Sequence, residues 1–451
     1  MTTKPLYERP VLVRHQLGHM NKMGAMQVNR PLTHIDGVPV EELLARYGSP
    51  LFVFSERTLR ERHQELTSAF SRRWPKLRVG WSYKTNYLGA IARIFHSEGS
   101  WAEVVSGFEY EKAVALGVPP DHIHFNGPYK PEPVLERALV DEAMVHIDHF
   151  DELALVEKIA KRRGIRPKVA IRVNLVAEGI PAWSRFGFSL ENGQARDAVA
   201  RLVAGDAMDL VGLHCHVGTF ILEPQAYRDA ATKLAGFANE LRSRFGIALS
   251  FIDLGGGFAS HNTLRAQYLP GGVATPSFER YADAICDGLA TLDVRPQERP
   301  TLVLETGRAL VDDAGYLLSS VVANKRLADG RRGMVIDAGV NLLFTSFWYK
   351  HELLPGVETR GMPEPTVVYG PLCMSIDELR DTMLFPPMKV GDPVVFKNVG
   401  AYNVTQWMQF ITYRPAVVLI GRDGRHALIR RAEQLADVIG PEEMPPWLEK
   451  H

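Results

Sequence analysis

A lysine closes an apolar run at WSYKTN (81–86), where Lys84 follows Trp81, Ser82 and Tyr83 and precedes Asn86. Its ammonium group is either an ordinary surface charge or an amine with a task inside. Other runs of the same kind also end on polar or glycine residues: Glu103, Asn126, Asp148, Arg172, His216, the triplet Gly255, Gly256 and Gly257, and Glu305 with Gly307 and Arg308 behind it. Each alone has a plain explanation. Lys84 could sit in a loop, Glu103 and Asp148 could cap the helices that follow, and glycine triplets also mark simple turns. Taken together they describe a chemistry. Glycines at a strand end leave backbone N–H groups uncovered, and the chain offers two such places suited to phosphate. A lysine amine can condense with an aldehyde, and a lone carboxylate after the run TLVL, Glu305, can keep a pyridine nitrogen protonated as an electron sink. These are the needs of pyridoxal 5'-phosphate. An amine with that task is expected to have its pKa depressed from ~10.4 by partial burial. His214 and His216 share one run, and one is expected to face the site while the other packs outward. No metal is expected.

The residues are set on a regular rhythm. Extended runs recur at 77–84, 101–106, 122–127, 143–148, 168–174, 210–218, 249–257 and 301–307. Between them lie helical segments, among them DELALVEKIAKRRG, whose Leu153, Leu155, Val156 and Ile159 form an apolar stripe. Strands alternating with helices predict parallel pairing, since parallel neighbours need a crossover. Eight units match a closed (β/α)8 barrel better than an open doubly wound sheet, and barrel sites gather at the C-terminal strand ends. After about residue 310 the runs become strand-like with little helix, and GRDG (421–424) reads as a hairpin turn. The expected layout is α/β: an N-terminal segment 1–50, partly packed with the second domain, a barrel over 51–308, and a mainly antiparallel β domain over 309–451.

Lys plus Arg and Asp plus Glu both number 52, so charge makes no case for nucleic acid or anionic lipid as partner. The hydrophobic fraction, 46%, suits a globular enzyme without a membrane span. Three cysteines, Cys215, Cys286 and Cys373, do not form a disulfide framework and point to a reducing, cytoplasmic compartment.

In order and spacing, the motifs SYKTN, WAEVVSGFEYEKAVALG, FNGPYK, SRFGF (184–188), GLHCHVGT, IDLGGGF, LETGR, GPLCMSIDEL (370–379) and VGAY (399–402) resemble those of the fold-type III pyridoxal-phosphate decarboxylases. Diaminopimelate decarboxylases are the nearest match, then ornithine and arginine decarboxylases, over about residues 48–435. The resemblance implies Lys84 as the cofactor lysine, Glu305 as partner of the pyridine nitrogen and His216 stacked on the ring. It implies Thr219, Gly255, Gly256, Gly257, Gly307, Arg308 and Tyr402 around the phosphate, with Thr219 standing where serine is usual. It further implies a homodimer in which Cys373 of one subunit returns a proton in the other subunit's site.

Two positions depart from that pattern. Where diaminopimelate decarboxylases resemble DAGMNDLMRPALY, this chain reads IDAGVNLLFTSFWY (336–349), and Thr345 replaces the arginine that forks the distal carboxylate. Met374 replaces the acid that follows the cysteine and receives the distal amino group. Arg308, Thr345, Tyr349 and Met374 are the expected substrate contacts, in a distal pocket with aromatic neighbours Phe344, Phe347 and Trp348. The expected activity is decarboxylation of an amino acid other than meso-diaminopimelate, with diaminopimelate itself through altered contacts, or racemisation on the same fold, as alternatives.

Overall fold

Eight short parallel strands carry the polar ends singled out above. The computed structural model describes residues 30–181 and 183–448, and places these strands at Leu77–Ser82, Trp101–Val104, Ile123–Phe125, Met144–Ile147, Lys168–Asn174, Asp209–His214, Phe251–Asp253 and Thr301–Leu304. Each pairs in parallel with the next, and the eighth pairs with the first, so the sheet closes into a barrel. Closure excludes the open doubly wound sheet.

The helices outside follow from local sequence. Phe150–Arg163 buries Leu153, Val156, Ile159 and Ala160 against the sheet, carries Lys161, Arg162 and Arg163 in its last turn, and stops at Gly164 with φ 65°. Each of these buried branched side chains contributes roughly 1.5–3 kcal/mol of transfer free energy, and the basic last turn complements the helix dipole. Two strand-to-helix turns use the same device. Ser106 accepts from the Glu109 N–H while the Glu109 carboxylate accepts from Val105 N–H; His149 and Glu152 do likewise, with Asp148 N–H as donor. Those caps leave Glu103 and Asp148 free, so the capping role considered for the two acids falls to their neighbours.

The second sheet is mainly antiparallel around the long strand Gly315–Arg326, which pairs with Leu51–Ser55, Arg332–Ile336 and Pro393–Lys397. Ala416–Ile420 and His426–Arg430 form the hairpin about GRDG. The strand Leu51–Ser55 belongs to this sheet and not to the barrel, contrary to a barrel beginning at residue 51. All five of its residues are buried, and such a run reads equally well as a barrel strand. Its alternation sends Leu51 and Val53 into one apolar cluster and Phe52 and Phe54 into the main core. Residues 30–50 reach the same domain: Leu32 N–H donates to Pro355 C=O at 2.8 Å, and Val40 and Leu43 join the smaller cluster. The run LGHMNKMGAM lies outside the described residues. No described helix is long and apolar enough to cross a membrane.

Candidate active site

The strand ends enclose a cavity of about 370 Å³. Lys84 lines it, with its side chain 39% exposed toward that space and its Nζ 2.7 and 2.9 Å from the two oxygens of fully buried Glu103. Asn126 Nδ2 then bridges Glu103 Oε1 at 3.2 Å and Glu305 Oε1 at 2.6 Å. Residues 84, 103, 126 and 305, from four different strand ends, are thus joined in one hydrogen-bonded chain.

The depressed lysine pKa expected above is not what this arrangement produces. Burial pulls the Lys84 amine down, but Glu103 first, then Tyr402 and Glu305, more than offset it, and the net shift is upward. An ion pair held through both carboxylate oxygens outweighs desolvation. Burial likewise pushes Glu305 up, yet His214 and Asp253 hold it well below the usual carboxylate range.

His214 and His216 both line the cavity, against the expectation that one packs outward. Residues two apart on a strand share a face, and it is Cys215, between them, that is buried on the other side. His214 Nε2 lies 3.3 Å from Glu305 Oε2, and His216 Nδ1 accepts from the Gly256 N–H at 3.1 Å. Burial, with Arg172 and Lys84 nearby, keeps His216 neutral.

The glycine cradle admits no side chain. A Cβ on Gly256 would lie 2.4 Å from Glu305 C=O oxygen, one on Gly307 2.1 Å from Thr85 Oγ1, and Gly255 and Gly257 have φ of 65° and 92°. Thr219 and Arg308 stand beside it. Arg308 Nε and Nη1 are buried without hydrogen-bond partners, while its guanidinium lies over the rings of Tyr402, Tyr349 and Phe220. An arginine with idle donors next to exposed backbone amides fits a phosphate. Tyr402 reaches the barrel mouth from the second domain. Gly400 packs so closely that a Cβ would sit 1.9 Å from Val311 C=O oxygen, Ala401 N–H donates to Asp312, and Tyr402 N–H donates to Thr85 C=O at 2.8 Å. The residues present therefore fit pyridoxal phosphate.

Other expected contacts are placed differently. Thr345 does not line the cavity; its Oγ1 is buried 2.8 Å from both His351 Nε2 and Asn403 Oδ1, in a network that runs on through Asn262 to Asp312. Tyr349 is buried behind Arg308, Met374 is half-buried against the core, and Cys373 is exposed on a loop held by the Asp377 carboxylate. Neither Cys373 nor Met374 lines the cavity within one chain. Sequence reasoning missed Trp183 and Phe186, which form an aromatic rim; Trp183 lies 5.4 Å from the His216 ring, and the Arg172 guanidinium sits over Phe186 at 4.5 Å. The motif SRFGF, which contains Phe186 and directly follows Trp183, was the available signal. The set His124, His146, Asp253 and Glu305, whose polar atoms lie within 4.8 Å of one another, also has the chemistry to hold a metal ion.

The family model for the pyridoxal binding domain of pyridoxal-dependent decarboxylases matches residues 56–312. Across the whole chain, the diaminopimelate decarboxylase of Bacillus subtilis is 29% identical, covering 94% of this chain and 97% of its own length. That of Archaeoglobus fulgidus is 31% identical over 92% and 97%. A crystal structure of the M. jannaschii diaminopimelate decarboxylase superposes with a TM-score of 0.84 at 28% identity, covering 94% of this chain and 98% of the other. The chain belongs to the pyridoxal-dependent decarboxylases, enzymes that use pyridoxal phosphate to remove carbon dioxide from amino acids.

Proposed function

We propose that this protein decarboxylates an α-amino acid other than meso-diaminopimelate, as a homodimer whose subunits complete each other's sites. The observation that carries the reading is the chain Lys84–Glu103–Asn126–Glu305 beside a glycine cradle. When bound, pyridoxal phosphate supplies an aldehyde for amino groups and a pyridinium ring that withdraws the electron pair of the breaking Cα–carboxyl bond.

The protein's own groups do the rest. Lys84 Nζ must lose a proton before its amine can attack, and Glu103, in contact through both oxygens, is placed to take it. Glu305, ionised, would hold a proton on the ring nitrogen. Gly256, Gly257, Gly307, Arg308, Thr219 and Tyr402 would hold the phosphate, and His216 would lie against the ring. Cys373 is exposed and does not line its own chain's cavity, which supports a role in the partner's site as proton donor to Cα. The three cysteines are free, in keeping with a reducing, cytoplasmic compartment.

At the position where the resemblance implies a fork for a distal carboxylate, this chain has Thr345. Thr345 is consumed by buried partners, and Met374 offers a thioether where an ammonium would need an acid. The rim of Trp183 and Phe186 suits an apolar or conjugated side chain. Similarity to diaminopimelate decarboxylases along nearly the whole chain favours meso-diaminopimelate as the second reading. A panel containing that compound, lysine, ornithine and aromatic amino acids decides between them, with released carbon dioxide and α-proton exchange both measured. We expect carbon dioxide without racemisation and best turnover on an uncharged side chain. Preference for meso-diaminopimelate would overturn the substrate assignment, and racemisation without carbon dioxide would overturn the reaction.

A further inference from the structure

Four residues beyond Arg308 the chain buries an acid. Asp312 follows the short helix Arg308–Val311 and is fully enclosed. Burying a carboxylate is costly unless its oxygens find donors. Here they do. Oδ2 accepts from Ser260 Oγ at 2.5 Å and from Asn262 Nδ2 at 2.7 Å, and Oδ1 accepts from Ala401 N–H at 3.1 Å. Arg308 Nη1 lies 3.7 Å from Oδ2.

Those partners come from three separate pieces of the molecule. Ser260 and Asn262 belong to the loop after the seventh barrel strand, Arg308 to the turn after the eighth, and Ala401 to the second domain. Ala401 precedes Tyr402, and Gly400 N–H also donates to Asp312 C=O at 3.2 Å. Arg308 is thus held by charge on one side and by the rings of Tyr402 and Tyr349, at 4.7 and 4.9 Å, on others. Its Nε and Nη1 hydrogens stay unbonded. An arginine fixed in this way keeps its donors for an anionic ligand.

The network continues past Asp312. Asn262 Oδ1 lies 3.1 Å from His351 Nδ1, and His351 Nε2 lies 2.8 Å from Thr345 Oγ1. Thr345 Oγ1 donates to Asn403 Oδ1 at 2.8 Å, and Asn403 Nδ2 donates to Val399 C=O at 3.0 Å. Every one of these side chains is buried. Thr345, singled out in the sequence by its place in IDAGVNLLFTSFWY, therefore braces the turn that carries Tyr402 from both ends.

We infer that Asp312 is a positioning residue for the phosphate cradle: its carboxylate holds Arg308 from the barrel and the Tyr402 turn from the second domain in one register, and Thr345 braces that carboxylate through His351 and Asn262. Side chains locked by such buried partners keep a site in its productive geometry. The inference rests on the proposed placement of the cofactor phosphate between Arg308 and Tyr402.

The test is binding to the cofactor-free full chain, comparing the Kd of pyridoxal phosphate with that of pyridoxal, which lacks the phosphate. Asparagine at 312 keeps one oxygen and no charge, so it loses its hold on Arg308 and turns an amide nitrogen toward existing donors. D312N should weaken pyridoxal phosphate about tenfold, the scale of one lost hydrogen bond, and leave pyridoxal unchanged. T345V removes one hydroxyl at the far end of the network and carries the test where D312N does not fold. It should weaken pyridoxal phosphate about threefold, the lower end of that scale, while T345S matches wild type. In R308A the effect of D312N should shrink, because one of the two groups it aims is gone. Equal weakening of both ligands, or a D312N effect undiminished in R308A, would overturn the inference. A wild type with no preference for pyridoxal phosphate over pyridoxal would overturn the phosphate assignment and the inference with it. A preference that D312N and T345V leave intact would overturn the inference alone.

Discussion

At the scale of single residues, the site is governed by which carboxylate each amine or donor finds. Lys84 is held protonated by Glu103, which was visible in the sequence only as an acid at a strand end. Replacing Glu103 by glutamine removes the largest influence raising the lysine pKa and leaves burial, which acts in the opposite direction. Titration of Lys84 in the cofactor-free E103Q protein, followed by lysine NMR, should therefore move toward acid relative to wild type. An unmoved titration would mean that Glu103 is not what sets the state of the amine. Lys130 of FNGPYK teaches the converse lesson. Its ammonium is spent on Gly127 C=O, His146 C=O and Glu152, so a lysine within a family motif need not face the chemistry.

At the scale of elements, the turns that present the site are locked by their own caps. Glu109 closes the turn after the second barrel strand by accepting from Val105 N–H, and burial, only partly countered by that bond, raises its pKa to about 7. The folded protein thus binds this proton more tightly than the unfolded chain. The stability it contributes is whole below the ordinary value of 4.5 and is lost as pH rises through about 7. E109Q keeps an acceptor for Val105 and cannot ionise. Its urea midpoint should fall less between pH 4.5 and 7 than that of wild type, and parallel slopes for the two proteins would sink this account. The strand periods that build these elements are local, which is why all eight barrel runs could be read before the fold was known. The same locality misleads where a run is buried on both faces, as at Leu51–Ser55.

At the scale of the whole molecule, the two domains meet where the glycines of VGAY and Gly315 cross. A Cβ on Gly315 would lie 2.3 Å from Gly400 Cα, and one on Gly400 would strike Val311 C=O oxygen. Since backbone cannot yield as a flexible side chain does, G400A should cost about 1–3 kcal/mol by overpacking and displace Tyr402 from the cavity. A lower Tm together with pyridoxal phosphate binding weakened about tenfold, the scale of one lost contact of that size, is the expected result. Unchanged affinity would show that Tyr402 does not contribute to holding the cofactor.

The amino-acid sequence by itself determined the order of strands and helices, the division into barrel and β domain, and the procession of polar strand ends from Lys84 to Arg308. Those features depend on residue periods, glycines and caps that act within a few positions. Only the tertiary structure decided that Glu103 holds Lys84, that His214 turns inward with His216, that Thr345 is buried away from the cavity and that Asp253 lies beside Glu305, His124 and His146. Each of these joins side chains brought together by barrel closure or by the packing of the second domain, and no spacing along the chain encodes their relative directions.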